Sequence, residues 1–514
     1  MKTREGIAAC VEYPVKTRRG IKNELLEIHQ SPRIAISTTD DGESRRIIVG
    51  LNLMVKDVEK SNMGEFFASR LLTPYEILAG EEEVKSLTQK YIRRAIREIV
   101  YDAVSDYGLG VFNMRFLPQY FLYKKIKARI SLYPPAYRIY WWITDESSDL
   151  LRTVLKRVEK ELESLCDEGL LTRSVDGYYS VNREVAKSLD LSSLDRPLPS
   201  LKINSRITTL FKAGKIGLTS PLLLISETVD LPIEDQQLDP DEYAYITTST
   251  GIHSLASSQD IYELVSNYSG VKSERIEITK RGALFNSTYV AFVRRDSEPA
   301  ASLFIKRYES WTDVKWVVAK IWTMHLRNFY YSASVRLGNE LFFLSYLRER
   351  GFNVPKVIHV DWERKIIVEE AIDGVDLTYS WIKKSRKGLE EITGACGAML
   401  ARIHKSGVVV GDCKPDNFII DSDGKVWIVD LEQASLRGDQ SWDVAECVLY
   451  MGHYLDGDEL EEYAESLISG YLSEGDQKTV EKALDPRYQF VMLPWTPIWN
   501  QLRVVEVVKK LLKK

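Results

Sequence analysis

Three polar side chains in the C-terminal part of the sequence have types and spacing that suit chemistry on a metal-bound phosphate. Asp412 is followed five residues later by Asn417, and Asp430 comes after a turn that reads Asp-Ser-Asp-Gly. One carboxylate can accept the proton of an attacking hydroxyl, while the second carboxylate and the amide oxygen suit Mg²⁺ bridging phosphates. Lys414 can stabilise the charge of a phosphoryl group in transfer. The pattern predicts catalytic roles for Asp412 and Lys414 and metal ligation by Asn417 and Asp430.

A lysine and a glutamate upstream have patterns that could complete this site. Lys306 stands at the end of an apolar strand, Ala-Ser-Leu-Phe-Ile-Lys, where a compact cation can contact the α- and β-phosphates of a nucleotide. Strand-end lysines are usually solvated, so this position alone says little. Glu340 lies on a predicted helix face between leucines, and a glutamate that is partly buried there needs a cation. Lys306 is the obvious partner.

Two stretches of backbone have the pattern of nucleotide-binding elements. Residues 276–295 read as a strand, a turn and a strand, with Gly282 at the turn, and such a hairpin can place backbone N–H groups over phosphates. A single glycine in a hairpin is common, so this signal is weak without the others. Residues 365–374 read as a strand that runs into a polar turn, and the backbone just past it can pair with an adenine edge.

The order of these motifs resembles the protein-kinase-like fold. Gly-Asp-x-Lys-Pro-Asp-Asn, then a hairpin and Ile-Val-Asp, resembles the catalytic and metal-binding loops of that fold. The helix pattern R-x-x-x-E-x-x-x-L-x-x-L before G-x-x-V-P is similar to the RIO kinases and to the small kinase of the KEOPS complex. The resemblance covers roughly residues 276–470. It implies a Lys306–Glu340 ion pair, and it implies that the backbone at Glu370 and Ile372 binds adenine.

The sequence departs from that family pattern at several positions. Val410 replaces the usual histidine of the catalytic loop, Glu432 replaces the glycine after the metal aspartate, and Glu369 stands where an apolar residue is typical. No Ala-Pro-Glu segment follows. Instead, Gly-Asp-x-x-x-Asp-x-Ala resembles aminoglycoside and choline kinases, and its Asp443 is predicted to brace the catalytic loop from a helix N-terminus.

The function that this set of residues predicts is ATP- and Mg²⁺-dependent phosphotransfer, because a chain that had lost catalysis would normally lack one of the four central residues. Lys414 resembles the lysine of serine/threonine protein kinases and favours a protein substrate. The Asp443 motif favours the alternative, a small-molecule kinase of the aminoglycoside or choline type. A third hypothesis is an ATPase or assembly factor of RIO type that acts on RNA or DNA.

The sequence of the N-terminal region predicts further helices and strands but no catalytic residues. Residues 46–55 predict a strand, and residues 82–104 predict an amphipathic helix whose arginines are more often a solvated surface than a binding face. Residues 147–181 read as a capped helix, a Gly169 stop and a hairpin at Asp176-Gly177, the order of a winged helix-turn-helix. The candidate contacts of this unit with nucleic acid are Arg152, Lys156, Arg157 and Lys160. The glutamates between them weaken this interpretation.

The predicted fold class is therefore α+β, with a bilobal protein-kinase-like domain at the C-terminus after an α/β N-terminal region that includes a winged helix. The first part of the predicted division is an N-terminal region of unknown role at 1–125. A winged helix at 126–190 and a connecting region at 191–270 follow it. The kinase-like domain consists of an N-lobe at 271–372 and a C-lobe with a C-terminal helix at 373–514.

Composition is that of an ordinary globular protein. The 514 residues are 44% hydrophobic and carry a formal net charge of −5, so there is no global basic footprint for nucleic acid. The five cysteines have no metal-ligand or disulfide spacing, and no apolar run is long enough to cross a membrane. We expect a reduced, cytoplasmic protein with no membrane partner, and the sequence leaves its oligomeric state open.

Overall fold

The computed structural model describes most of the chain. The described residues are 6–31, 36–40, 45–145, 147–188, 238–257, 260–272, 275–281, 287–295, 298–309, 329–330, 332–384 and 387–513. Within them the fold is mixed α+β, as predicted. The predicted nucleotide-binding turn at Gly282 lies outside the described residues.

The first sheet is N-terminal and has the strand order β3-β4-β2-β1-β5. Its strands are β1 Ile7–Thr17, β2 Gly20–His29, β3 Ile36–Asp40, β4 Arg45–Gly50 and β5 Glu76–Ala79. The strand predicted over 46–55 is wrong in its second half, because Leu51–Lys60 forms helix α1. Met54, Asp57 and Val58 are buried there, and this spacing of three and four residues is helical and does not suit a strand.

The long helix predicted over 82–104 is confirmed as α2, Glu81–Tyr107. Three glutamates in its first turn stabilise the helix, because negative charges near the N-terminus interact favourably with the helix dipole. Arg93 and Arg97 both pair with Glu168, and Arg94 pairs with Glu65, so these arginines hold the N-terminal region together and do not form a free basic face.

A second sheet, ordered β10-β9-β6-β8-β7, follows α2. Its parts, with the intervening helices, are β6 Met114–Phe116, α3 Pro118–Leu132, α4 Tyr137–Tyr140, α5 Asp149–Asp167, β7 Leu171–Arg173, β8 Tyr179–Val181, β9 Ala244–Thr248 and β10 Gly251–Ser254. The predicted capped helix and hairpin are both present: the Ser148 hydroxyl accepts from the Leu150 N–H, and Gly177 turns with φ +84°. The boundary predicted at residue 125 lies inside α3.

The α5 surface corrects one expectation about nucleic-acid contacts. Arg157 is not available as a contact, because its guanidinium donates to the Thr73 carbonyl and lies 3.8 Å from the centre of the Tyr75 ring. Arg152, Lys156 and Lys160 are exposed.

The third sheet, ordered β11-β12-β13-β15-β14, is antiparallel throughout and lies in the segment predicted as the N-lobe. Its strands and the nearby helices are α6 Ile261–Ser269, β11 Ile276–Arg281, β12 Ser287–Arg295, β13 Glu298–Arg307, α7 Ala333–Arg348, β14 Val357–Asp361 and β15 Ile366–Glu370. An apolar cluster that includes Val265, Leu303 and Val368 packs α6 against one face of the sheet.

The remaining part is mostly helical, with a small sheet ordered β16-β17-β18. Its elements are β16 Gly374–Asp376, α8 Leu377–Lys383, α9 Leu389–Lys405, β17 Phe418–Asp421, β18 Val426–Ile428, α10 Gln440–Tyr450, α11 Gly457–Glu474, α12 Gln477–Ala483, α13 Pro486–Met492 and α14 Ile498–Leu511. The last helix packs back on the lobe through Val504 and Val508, which are fully buried, whereas Leu502 is 56% exposed.

Helix α7 packs backbone to backbone against the N-terminal region. A Cβ on Gly338 would stand 2.2 Å from the Tyr107 carbonyl oxygen, and one on Gly110 would stand 3.0 Å from the Gly338 Cα. Two aromatic pairs extend this contact, Phe112 with Phe342 and Tyr107 with Trp362. One continuous apolar core therefore runs from the first sheet to the C-terminal helices.

In the described part of the chain, no helix combines the length and apolar character needed to cross a bilayer.

Candidate active site

The centre of the site is a lysine shared by two carboxylates. The Lys306 ammonium lies 3.0 Å from the Glu340 carboxylate and 3.0 Å from the Asp430 carboxylate. Strand β13 supplies the lysine and α7 the glutamate, while Asp430 follows β18 in the C-terminal lobe. The structure therefore brings together three residues that the sequence placed in separate motifs.

Burial decides the protonation of Lys306. Desolvation would lower its pKa, but the nearby carboxylates of Asp430 and Glu340 outweigh that effect and raise the pKa well above its ordinary value. The raised pKa therefore favours the charged form of the lysine. A permanent cation in this place suits the binding of phosphate oxygens.

A further acid, Glu369, lies in the same cluster. Its side chain is buried on β15, and one carboxylate oxygen of Glu369 and one of Glu340 have no hydrogen-bond partner among the described residues. Burial raises the pKa of Glu369 and raises that of Glu340 well above its ordinary value, while Lys306 opposes both shifts. The family-atypical glutamate is thus a buried acid beside the ion-pair cluster, and its raised pKa favours the protonated form.

The catalytic loop holds Asp412 at the mouth of the cleft. The Lys414 ammonium lies 2.8 Å from the Asp412 carboxylate, and both side chains are partly exposed. The Asn417 amide nitrogen donates to the Asp412 backbone carbonyl at 2.8 Å. The loop that carries the predicted base is thereby tied to one predicted metal ligand, and the carboxylate of Asp412 stays accessible.

Asp443 braces this loop from below, as predicted. Its carboxylate accepts the backbone N–H groups of Val410 at 2.7 Å and Gly411 at 2.8 Å, and it lies 3.0 Å from the His404 ring. Asp443 is fully buried in the first turn of α10. Glu446, one turn later, accepts the Cys413 N–H at 2.7 Å, a second support that the sequence analysis missed.

The turn after β18 presents Asp430 in a strained conformation. Asp430 has φ +61°, in the left-handed region that non-glycine residues rarely occupy. Such strain persists only where the surroundings enforce it, and here the neighbouring Val429 N–H donates to the Asn417 carbonyl at 3.0 Å. The backbone beside Asp430 is thus tied to Asn417, while the Asp430 carboxylate pairs with Lys306.

Glu432, which replaces the family glycine, has a partner that the sequence analysis did not assign. The Arg336 guanidinium, fully buried on α7, lies 3.3 Å from the Glu432 carboxylate, and the Asn339 amide donates to the Glu432 carbonyl at 3.1 Å. Arg336 stands one helical turn before Glu340, so the R-x-x-x-E spacing was the available signal. Two side chains of α7 therefore bond to Glu432, two residues after Asp430.

The donor set fits a magnesium nucleotide and does not fit a metal cage made by protein alone. No group of three or more His, Cys, Asp or Glu side chains in the described residues could hold a metal ion. Asn417 and Asp430 offer one amide oxygen and one carboxylate, and Mg²⁺ characteristically takes one or two protein ligands and completes its shell with phosphates and water. The residues present suit that mode of binding.

The predicted adenine-binding positions lie where β15 ends. Glu370 is the last residue of the strand, and its N–H is already bonded to the Lys356 carbonyl at 2.8 Å. Ile372 follows in the segment that connects the two lobes and is half-buried. Their role in adenine binding stays a prediction.

A comparison with protein-family models decides the class of this part of the chain. Residues 289–443 match the family model of the RIO domain. This segment is a RIO-like atypical kinase domain. The match includes Lys306, Glu340, Asp412, Asn417 and Asp430, and it covers less than a third of the chain. No curated protein matches the chain.

A substitution at Gly338 should disturb the RIO domain from outside the cleft. In Gly338→Ala the new methyl group meets the Tyr107 carbonyl, so α7 must move and Glu340 must move with it. We expect a loss of about 1–3 kcal/mol in unfolding free energy, typical of overpacking, measured by urea denaturation. The matched control is Gly394→Ala in α9, whose new Cβ meets no atom closer than 3.6 Å. Equal stability of the two variants would contradict the close contact at Gly338.

The buried acid of the RIO domain predicts a pH-dependent stability. Because burial raises the pKa of Glu369 above 4.5, the folded state binds its proton more tightly than the unfolded state, and stability falls as the pH rises above that value. Glu369→Gln imitates the protonated form. We expect it to raise the Tm of the Mg²⁺- and nucleotide-free protein at pH 8 and to have a much smaller effect at pH 5.

The control for this variant is Glu363→Gln, which changes an exposed glutamate in the turn before β15. It should leave the Tm unchanged at both pH values. A Glu369→Gln variant that is less stable than the parent at pH 8 would show that the carboxylate is charged and fully compensated.

Proposed function

We propose that the chain is an ATP- and Mg²⁺-dependent phosphotransferase, and more narrowly an atypical serine/threonine protein kinase. The observation that carries the proposal is the pair of 3.0 Å contacts from Lys306 to Glu340 and Asp430. They join the third sheet, α7 and the metal-aspartate turn in the arrangement that phosphoryl transfer needs. The match of this segment to the RIO domain supports the same class of chemistry.

Each residue of the site has a role in this proposal. Mg²⁺–ATP, when bound, supplies the phosphoryl group. Lys306 positions the phosphates, while Asn417 and Asp430 hold the metal. Asp412 accepts the proton of the acceptor hydroxyl, and Lys414, 2.8 Å from it, stabilises the charge that develops on the transferred group.

The choice of a serine or threonine acceptor rests on Lys414 and on the accessibility of Asp412. Both side chains are partly exposed at the cleft mouth, where a hydroxyl on a large substrate can approach. Protein substrates with a flexible serine or threonine segment fit this mouth best.

Incubation of the full chain with Mg²⁺ and γ-labelled ATP tests the proposal. It should be run alone and with cell extract, and the label should then be traced to protein, small molecules or free phosphate. Label on serine or threonine of a protein supports the kinase. Absence of any ATP turnover, with Mg²⁺–ATP binding intact, would overturn the proposed activity.

A small-molecule kinase is the second candidate, because Asp443 supports the catalytic loop from α10 in the manner that the Gly-Asp-x-x-x-Asp-x-Ala motif suggests. The same labelling experiment discriminates between the two. Label in the low-molecular-weight fraction of the extract, with none on protein, favours this candidate.

We also propose that the winged helix predicted over 126–190 begins earlier, with α2, and covers residues 81–181. The order α2, β6, α3, α5, β7, β8, with β8 between β6 and β7, supports that fold. Its exposed cations Arg152, Lys156 and Lys160 would then contact nucleic acid, as an ATPase or assembly factor of RIO type requires. Affinity for RNA or DNA that falls steeply with salt, and that Lys156→Glu weakens, supports this role. Salt-insensitive or absent binding counts against it.

A further inference from the structure

A cavity outside the nucleotide cleft lies between the second sheet and the RIO domain. Its volume is about 540 Å³, within the range of small-molecule sites. Strands β6, β8 and β9 form one side, and the C-terminal half of α7 forms the other. None of the roles assigned to the active site uses these residues.

The cavity is lined by three arginines and one acid. Arg115, Arg183 and Arg348 come from β6, from the turn after β8 and from α7, and Glu349 is 2.5 Å from Arg183. One guanidinium is therefore neutralised by an ion pair, and two positive charges remain. Arg115 donates to the Thr247 hydroxyl at 3.0 Å and Arg348 to the Val354 carbonyl at 2.6 Å, so protein contacts hold both in place.

Partial burial strengthens the charge on this lining. Arg115 and Arg348 are half-buried. Desolvation lowers the pKa of Arg348 from its ordinary value, although the Glu370 carboxylate partly opposes that shift, and this marks a cation short of solvation. A bound anion would relieve that cost. Guanidinium groups bind phosphate by paired hydrogen bonds, and a phosphate monoester with two charges would balance the two arginines.

An unsatisfied acceptor points to a second part of the ligand. Asn113 is 5% exposed and lines the cavity, and its amide nitrogen donates to the Ser345 hydroxyl at 2.8 Å. Its amide oxygen has no hydrogen-bond partner among the described residues. A buried acceptor without a donor is costly, and a dianionic phosphate has no donor to offer. The ligand must therefore bring a hydroxyl or N–H group as well.

We propose that this cavity binds a small sugar phosphate: the phosphate lies between Arg115 and Arg348, and a sugar hydroxyl donates to Asn113. The apolar side chains of Met114 and Leu344 provide surface for the carbon skeleton. Asn113 and Ser345 already join the N-terminal region to α7, so the ligand tightens a contact that exists without it.

Ligand binding is expected to affect the nucleotide cleft through α7. Ser345 and Arg348 stand one and two turns after Glu340 on the same helix, so a ligand that fixes them also fixes the glutamate that pairs with Lys306. This regulatory effect presumes the proposed phosphotransfer activity, whereas binding itself does not.

Isothermal titration calorimetry of the full chain tests the binding, with ribose 5-phosphate, ribose and inorganic phosphate as probes. Ribose 5-phosphate should bind, ribose should not, and inorganic phosphate should bind more weakly than the sugar phosphate. Arg115→Gln keeps a donor for Thr247 but loses the charge, and we expect it to weaken ribose 5-phosphate binding by about tenfold or more.

Two controls separate this cavity from the nucleotide cleft and from general charge effects. Lys306→Met removes the phosphate-binding lysine of the cleft, and Arg350→Gln removes an exposed arginine of the same region that stacks on Tyr346. Both should bind ribose 5-phosphate as the parent does. Loss of binding in Lys306→Met, undiminished binding in Arg115→Gln, or no saturable heat in the parent would each overturn the proposal. Binding that persists in a chain with no ATP turnover would leave it standing while the proposed activity fails.

Discussion

Replacing Asp412 by asparagine should lower the rate of phosphotransfer by about 10²- to 10⁴-fold and leave Mg²⁺–ATP binding and Tm unchanged. Asparagine keeps the shape of the side chain but cannot accept the proton of the acceptor hydroxyl. The loop itself is held by other groups, since the Asp443 carboxylate accepts the Val410 and Gly411 N–H groups. The Asn417 amide nitrogen donates to the backbone carbonyl of Asp412, which the substitution leaves in place. Single-turnover transfer of labelled phosphate, together with calorimetry of nucleotide binding, measures both halves of the expectation.

A matched control for this variant is available four residues away. Asp416 belongs to the same loop, and its carboxylate accepts a hydrogen bond from the Thr378 hydroxyl. Asp416→Asn keeps an oxygen for that bond, so the transfer rate should stay within a few-fold of the parent. If Asp412→Asn transferred phosphate at the parental rate, another group would have to be the base.

The second large effect is expected at the metal aspartate. Asp430→Asn should weaken Mg²⁺–ATP binding by at least about tenfold and lower the transfer rate further, because a neutral amide is a much poorer ligand for a hard cation. The same change removes one of the two carboxylates beside Lys306. Titration with ATP in the presence of Mg²⁺ and again with a chelator separates the two causes.

With Mg²⁺ the loss of affinity in Asp430→Asn should be large, and with the chelator it should be small. The control is Asp423→Asn, an exposed aspartate in the preceding hairpin turn, which should bind nucleotide as the parent does. An equal loss with and without Mg²⁺ would indicate that Asp430 acts through Lys306 and not through the metal.

Much of the site was predictable because local sequence encodes it. The catalytic loop, the DG hairpin and the metal aspartate follow one another within 19 residues, and turn chemistry fixes their order in space. The Lys306–Glu340 pair is separated by 34 residues but was predictable from burial, since a glutamate between leucines needs a cation.

Other features were not predictable, because they depend on contacts between distant segments. Glu369 gave no sign that it would be a buried acid beside Lys306 and Glu340, since nothing local to β15 places α7 next to it. Arg157 had the pattern of an exposed cation and instead lies on Tyr75, which is 82 residues earlier. The strand predicted past Gly50 failed because a short apolar run fits both strand and helix until its neighbours are known.

The meeting of Gly338 with Gly110 makes the RIO domain dependent on the chain that precedes it. A fragment that starts near residue 271 would expose the surface of α7 at Gly338. It would also expose the rings of Phe342 and Trp362, which pack against Phe112 and Tyr107 in the full chain. Such a fragment is expected to aggregate and to be poorly soluble when expressed alone. The smallest stable fragment that contains the RIO domain is therefore expected to extend back through α2.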